Sequence, residues 1–268
     1  MDSQWEIVCL LYARRDAMRS GNFVGGDAHD APMPLAYYVW VVRNATQTIL
    51  VDTGFNLDMA TKRHRQLLRR PREALAAIGI DSAQLADIVV THLHNDHIGT
   101  FDEYPAARFH LQDEEMSFAT GRHMQCQVVN RGYELDHVTG MVERVFEGRV
   151  VFHDGNAEIA PGVTVHKVGG HTHGLQVVRV QTRRGPVVLA SDASHFYEHF
   201  RTARVFPLVF HVGEVLEGYD RLRELAASDQ HIIPGHDPLV MQRYPAETGL
   251  DGWAVRLDLD PITGGDTP

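Results

Sequence analysis

Short apolar runs recur in both halves of the chain and predict β-strands. The runs are rich in Val, Ile and Tyr, the residue types that favour strands. The predicted strands are Trp5–Ala13, Tyr37–Arg43, Thr48–Asp52, Asp87–Thr91 and Ala107–Leu111, followed by Val150–Phe152, Val163–Lys167, Leu175–Gln181, Pro186–Ser191 and Ile232–Ile233. Asp87–Thr91 is apolar throughout its centre, which is typical of a strand buried on both faces.

Helical periodicity appears between these runs. Leu57–Ile78 predicts a helix in two pieces, broken at Pro71 and stopped by Gly79. The other predicted helices are Asp113–Thr120, His137–Phe146 and Glu214–Ala227. Because strands followed by helices occur twice without a low-complexity linker, the pattern favours two packed sheets with helices outside. We predict one α/β domain over residues 1–268, with a frayed tail from about 260 to 268.

Composition and charge exclude several classes of protein. The chain has 268 residues, of which 44% are hydrophobic and 22% charged, so it has enough apolar surface for a large core. Its formal net charge of -10 disfavours nucleic acid as a partner. No run approaches the roughly 20 apolar residues of a membrane helix. The N-terminus lacks a signal-peptide pattern, and two distant cysteines give no disulfide framework, so we expect a cytoplasmic protein.

Seventeen histidines direct attention to metal binding. His92, His94, Asp96 and His97 place four potential ligands within six residues, directly after a predicted buried strand. So short a segment cannot easily wrap all four around one ion, which favours two adjacent metals. Three later strand ends each present another candidate ligand, namely His171 in a glycine-flanked turn, Asp192 and His236.

Together these motifs resemble the metallo-β-lactamase fold hydrolases and, within them, the N-acyl homoserine lactonases. The resemblance extends from Tyr37 to His236. It rests on Val51-Asp52-Thr53-Gly54, the His92–His97 cluster, Gly170-His171-Thr172, Ser191-Asp192-Ala193 and Gly235-His236. It implies an αββα sandwich of two mixed β-sheets with helices on the outer faces.

The resemblance also implies a centre with two divalent cations. His92, His94 and His171 would hold the first ion; Asp96, His97 and His236 would hold the second. Asp192 would bridge both, together with a water or hydroxide, and Asp52 would orient ligand histidines through hydrogen bonds. Zinc is the favoured metal, while iron, manganese and cobalt stay open.

The activity that this resemblance implies is lactone ring opening, on an N-acyl homoserine lactone or a related small lactone. The bridging hydroxide would attack the carbonyl carbon, and Asp96 would shuttle the proton. His195, where these lactonases tend to carry tyrosine, would assist the oxyanion. The alternative is hydrolysis of another small cyclic ester, amide or thioester. We expect a small-molecule partner and no nucleic acid or membrane, and we leave a homodimer open.

Other readings of the chain stay open or are disfavoured. A tRNA-processing nuclease with the same ligands would need a basic surface, which the negative net charge of this chain disfavours. A catalytically silent sensor is disfavoured because all seven ligand positions are present. The long loop Ser20–Pro34 either covers the metal site or is a flexible surface loop. The apolar run Phe206–Phe210 forms the wall of a pocket, a dimer contact or part of the core. Four mid-chain residues either line a substrate pocket or belong to the core: Met116, Phe118, Met124 and Cys126.

Overall fold

Two mixed β-sheets form the centre of the computed structural model, which describes residues 4–262. The strands in chain order are β1 (Glu6–Arg15), β2 (Leu35–Arg43), β3 (Thr48–Val51), β4 (Gln66–Leu67), β5 (Asp87–Val89), β6 (Arg108–Gln112), β7 (Val150–His153), β8 (Ala157–Ala160), β9 (Val163–Lys167), β10 (Gln176–Thr182), β11 (Gly185–Ser191), β12 (Ile232–Pro234) and β13 (Ala254–Arg256). The α-helices are α1 (Leu57–Lys62), α2 (Pro71–Ala77), α3 (Asn95–Ile98), α4 (Asp113–Ala119), α5 (Gln127–Asn130), α6 (Leu135–Phe146), α7 (Tyr197–Thr202), α8 (Val212–Leu225) and α9 (Val240–Arg243).

The first sheet has the order β13-β1-β2-β3-β5-β6-β7, and β4 pairs with the end of β1. Its strands are antiparallel from β13 to β3 and parallel from β3 to β7. The second sheet has the order β12-β11-β10-β9-β8 and is antiparallel except for the β11–β12 pair. None of the helices within the described residues is both long enough and apolar enough to span a bilayer.

Alternate residues of β1 show how the layers pack. Ile7, Cys9 and Leu11 join the apolar cluster that also contains the inner residues of the second sheet. Val8 and Leu10 point the other way, into a second cluster that includes side chains of α1, α2 and α6. Because successive side chains of a strand point to opposite faces, β1 must be apolar at nearly every position. The predicted αββα sandwich is confirmed.

One predicted boundary is wrong. The two helical pieces of Leu57–Ile78 are separated by residues 63–70, which include β4, and not by Pro71. Pro71 instead begins α2, where its missing N–H costs no hydrogen bond and its fixed φ suits the first helical turn. The hydrophobic pattern does not reveal β8, β13 or the short helices around the candidate site, because elements of three to six residues carry no full hydrophobic period. The predicted tail falls mainly on residues 263–268, outside the described residues.

Candidate metal centre

The candidate ligands meet at one edge of the sandwich, where strands of both sheets end. The segment after β5 carries His92, His94, Asp96 and His97, with the last two in the short helix α3. The turn between β9 and β10 carries His171. Asp192 lies directly after β11, and His236 lies in the loop that follows β12. The structure therefore brings all seven predicted ligand residues into one cluster.

The first group of three histidines points inward from two loops. The His171 Nε2 atom lies 3.1 Å from His92 Nε2 and 2.9 Å from His94 Nδ1. All three side chains are buried. His94 faces the group with Nδ1 because its opposite ring edge abuts the backbone of Gly132. Three nitrogen atoms converging in this way form one potential cation site.

The second group joins one carboxylate to two histidines. The Asp96 Oδ2 atom lies 3.8 Å from His97 Nε2 and 3.9 Å from His236 Nε2. Both imidazoles are buried, whereas the Asp96 side chain keeps 18% of its surface exposed. Asp96 is therefore the member of this group that also reaches solvent.

Asp192 lies between the two groups and presents one carboxylate oxygen to each. Its Oδ2 atom is 3.1 Å from His171 Nε2 and 3.9 Å from His92 Nε2. Its Oδ1 atom is 3.0 Å from His236 Nε2 and 3.3 Å from His97 Nε2. This is the arrangement that a carboxylate bridging two cations requires.

Two buried polar atoms in this cluster lack a hydrogen-bond partner among the described residues. Their chemistry shows whether the cluster suits cations. They are His97 Nε2 and Asp192 Oδ1, both aimed into the space between the second-group residues. An orphaned imidazole nitrogen and an orphaned carboxylate oxygen are costly to bury, and a divalent cation would satisfy both. Imidazole and carboxylate donors suit first-row metals such as zinc. The donor set therefore fits two cations.

Contacts on the outer side fix the orientation of three imidazoles. The Nδ1–H of His97 donates to Asp52 Oδ2 over 2.7 Å. The Nδ1–H of His171 donates to the Leu208 carbonyl over 2.6 Å, and that of His236 donates to the Ala36 carbonyl over 2.8 Å. With the proton on Nδ1, each Nε2 lone pair faces the centre of the cluster.

Unusual backbone conformations place two of the acidic side chains. Asp52 and Ser191 adopt the left-handed region, with φ of 60° and 45°, directly at the ends of β3 and β11. Gly235 passes close to the second of these turns, since a Cβ built there would lie 2.6 Å from the Ser191 carbonyl oxygen. Only glycine allows so close an approach. This explains why the Ser191-Asp192 and Gly235-His236 motifs occur together.

Glu115, which the sequence analysis did not identify, connects three loops of the site. Its Oε1 atom accepts hydrogen bonds from Leu93 N and the Tyr133 hydroxyl, both at 2.9 Å. Its Oε2 atom accepts from the Thr172 hydroxyl at 2.6 Å and Gly174 N at 3.2 Å. The carboxylate is fully buried and all four partners are donors. In the sequence, Glu115 is one of three consecutive acids opening α4, a pattern typical of a solvated first helical turn.

Opposing charges shift the pKa values within the cluster. Burial raises the pKa of Asp192, but the surrounding imidazoles, foremost His236, outweigh it and hold that pKa well below its usual range. Burial and neighbouring imidazoles lower the pKa of His92 and His94, which favours the neutral form that ligates metals. For His97, burial is outweighed by Asp192 and other carboxylates, which raise its pKa.

His195 also reaches the cluster. Its Nε2 atom lies 3.0 Å from Asp192 Oδ2, and its ring stacks on Phe206 with centroids 3.7 Å apart. Burial lowers the pKa of His195 to about 4, so this imidazole is neutral at physiological pH. Its side chain is 12% exposed and lines a cleft that opens onto the cluster.

This cleft has a volume of about 380 Å³ and is formed by several loops. Gly21 and Asn22 place the loop 20–34 in its wall, and Arg19 pairs with Asp27 to tie that loop down. The run Phe206–Phe210 contributes its first three residues to the wall. The four mid-chain residues considered as pocket lining do not line this cleft: Met116, Phe118, Met124 and Cys126. Among them Phe118 belongs to the core and Cys126 is exposed.

Comparison with known proteins agrees with this geometry. Residues 32–236 match the family model of the metallo-beta-lactamase superfamily. An N-acyl homoserine lactonase from a Bacillus species is 26% identical over 224 residues, covering 76% of this chain and 82% of that protein. A second one, AttM of Azorhizobium caulinodans, is 25% identical and covers 82% and 86%. A solved quorum-quenching N-acyl homoserine lactone lactonase has a TM-score of 0.73 at 22% identity, covering 88% and 93%.

Proposed function

The chain belongs to the metallo-beta-lactamase superfamily of hydrolases, and on that premise we propose that it opens the ring of a small lactone, such as an N-acyl homoserine lactone. The observation that carries the proposal is the position of Asp192, with one carboxylate oxygen facing each group of ligands. Two curated lactonases of about 25% identity over most of both chains support the choice of a lactone.

The cations belong at the two groups described above, and we propose zinc as the metal. His92, His94 and His171 would hold one ion, Asp96, His97 and His236 the other, and Asp192 both. When bound, such ions polarise a carbonyl and lower the pKa of a coordinated water from 15.7 to about 7.

Side chains at the floor of the cleft would transfer the proton and bind the carbonyl oxygen of the substrate. Asp96 is buried on one side and exposed to solvent on the other, which suits a carboxylate that carries the proton released by the attacking water. His195 holds a neutral imidazole whose Nε2–H donates to Asp192 Oδ2 at 3.0 Å. Once Asp192 binds the cations, this N–H would be free to donate to the carbonyl oxygen of the substrate as charge develops there. A cleft of about 380 Å³ has the size of a small-ligand site.

The test is turnover of a lactone panel by the metal-loaded protein. The panel runs from simple γ-lactones to long-chain N-acyl homoserine lactones, with a phenyl ester and a thioester as controls. Ring opening gives a hydroxy acid and releases one proton per lactone, which a pH indicator follows. Metal content is measured by mass spectrometry. We expect about two metals per chain, and loss of turnover in His94→Ala and Asp192→Ala.

A matched control is His29→Ala, which removes an exposed histidine whose side chain makes no hydrogen bond within residues 4–262. It should retain both metals and activity. Two metals without lactone turnover would refute the lactone assignment. Turnover of the ester or thioester alone would then favour the alternative substrates.

A further inference from the structure

Four arginines line the cleft above the candidate metal centre, although the chain as a whole is acidic. Arg15, Arg63, Arg65 and Arg131 are among the eighteen lining residues, while the net charge of the protein is -10. Two carboxylates share this lining, Asp96 and Asp192, and the proposed function assigns both to metal ions. The cleft is therefore a cationic region on an anionic protein.

Arg63 has a structural partner. Its Nε and Nη2 atoms donate to the Glu134 carboxylate at 3.0 and 2.6 Å, and its Nη1 atom donates to the Arg131 carbonyl at 2.7 Å. Lys62 binds the same carboxylate. Arg63 thus shares its carboxylate partner with Lys62, and its hydrogen bonds fix the segment that carries Arg131.

The other three guanidinium groups have no such partner. Within residues 4–262, no carboxylate lies within 4.0 Å of Arg15, Arg65 or Arg131. Arg65 and Arg131 donate hydrogen bonds to backbone carbonyls, those of Arg63 and Pro207, so their side chains are held in place while their charge stays uncompensated. Three like charges around one cleft repel each other unless an anion joins them.

The segments that carry Arg65 and Arg131 lie close to both halves of the candidate centre. The Arg65 guanidinium is 5.7 Å from the ring centroid of Tyr37, and that ring packs 4.9 Å from the imidazole of His236. Arg131 directly precedes Gly132, whose backbone abuts His94. A negatively charged group held by these side chains would therefore lie close to the candidate centre without binding the cations itself.

We propose that the natural substrate carries an oxyanion, a carboxylate or a phosphate, next to the bond that is cleaved, and that Arg15, Arg65 and Arg131 bind it. This inference rests on the proposed function and narrows it, because a simple N-acyl homoserine lactone is uncharged. Guanidinium groups match the geometry of carboxylate and phosphate with paired hydrogen bonds. On an acidic protein, a local cationic cleft also raises the rate at which an anion arrives.

The reaction proposed for this charged substrate is the same hydrolysis as for a neutral lactone. Water adds across the acyl C–O bond, the ring oxygen leaves as an alcohol, and the new carboxylic acid ionises with release of one proton. A lactone that already carries a carboxylate gives a product with two negative charges. Such a product should inhibit more strongly than the product of a neutral lactone.

The experiment compares two substrates that differ in one charge, γ-butyrolactone-γ-carboxylate and its primary amide. The readout is the ratio of kcat/KM for the acid to kcat/KM for the amide at low ionic strength. We expect the ratio to exceed 10 in the parent protein and to fall about 10-fold in Arg65→Gln and in Arg131→Gln. Added salt should lower the ratio as well. The control Arg14→Gln removes the neighbouring exposed arginine on β1, which does not line the cleft, and should leave the ratio unchanged.

Calorimetric binding separates this inference from the proposed function. The probes are tetrahydrofuran-2-carboxylate, which has no bond to hydrolyse, and inorganic phosphate; the tighter of the two identifies the oxyanion. Binding by the metal-loaded protein that weakens about 10-fold in Arg65→Gln supports the anion site even if no lactone is turned over. A ratio near 1 with unaltered binding in both arginine variants would overturn the inference, while turnover of the neutral lactone would leave the proposed function intact.

Discussion

Replacing Gly132 by alanine adds a single methyl group against the ring of His94. A Cβ built on Gly132 lies 2.3 Å from His94 Nε2 and 2.4 and 2.6 Å from two of its ring carbons. Ordinary contacts begin at about 3.4 Å, so the ring or the backbone must move by about 1 Å. Neither moves freely, because Tyr133 packs on the ring at 4.5 Å and the Gly132 carbonyl accepts hydrogen bonds from the backbone and side chain of Asn95.

The expected cost follows from that displacement. Overpacking of this kind typically destabilises a protein by about 1–3 kcal/mol. A shift of about 1 Å in a group that positions the reaction costs about 100-fold in rate. We therefore expect Gly132→Ala to lower kcat/KM on the best lactone about 100-fold, to weaken binding of the metal that His94 is proposed to hold, and to lower Tm by several degrees.

The assays are indicator-based turnover, metal content after dialysis against a weak chelator, and thermal unfolding. Gly218→Ala is the matched control, because a Cβ at Gly218 meets its nearest atom at 4.0 Å within helix α8. Alanine there should stabilise the protein by about 0.5–1 kcal/mol without changing turnover. Metal content, turnover and Tm all unchanged in Gly132→Ala would refute the assignment of His94 as a closely packed ligand.

Three further predictions concern two residues around the centre and one residue on β9. Glu115→Gln should lower the free energy of unfolding by about 1–3 kcal/mol, because an amide NH2 replaces one carboxylate oxygen that accepts two hydrogen bonds. Tm measures this loss, and the surface control Glu114→Gln should change little. His195→Ala should lower kcat about 100-fold at unchanged metal content, while His195→Tyr should restore most of it; an unaffected kcat in the alanine variant would exclude the donor role. Burial and nearby Arg221 lower the pKa of His166 to about 4, so its neutral form stabilises the fold above pH 6.5 and this stabilisation is lost as the pH falls toward 4. The Tm of His166→Gln should therefore fall less between pH 7 and pH 5 than that of the parent, and an equal fall would contradict this.

Sequence alone predicts the two sheets and the ligand cluster because both depend on local patterns. The segment His92–His97 concentrates four donors after an apolar strand, and each later candidate stands at the end of a recognisable β run. Short elements such as α7 and β13 leave no comparable pattern, since their length is less than the period that would reveal them. Pro71 shows a different limit of prediction from sequence. Proline can follow the end of one helix or begin the next, and the surrounding hydrophobic pattern does not distinguish these two positions.

The features that sequence did not predict are those assembled from distant positions. Glu115 accepts from residues on both sides of it, up to 59 positions away, and no spacing in the chain signals that the four donors converge. Arg15, Arg65 and Arg131 come from three separate segments, and only the fold shows that they share one cleft.

Similarity to known proteins therefore supports the reaction type better than it supports the choice of substrate. The candidate ligands and Asp52 lie in the motifs that carry the resemblance to the superfamily, within the matched residues 32–236, so the reaction type is the part of the proposed function that the resemblance supports best. The walls of the cleft carry residues outside those motifs, among them His195 and three arginines without a carboxylate partner. Substrate choice depends on those walls, since the metal centre contacts only the group that is cleaved. Relatives of about 25% identity therefore support hydrolysis of a cyclic ester, while the charge of the cleft is the better guide to which cyclic ester it is.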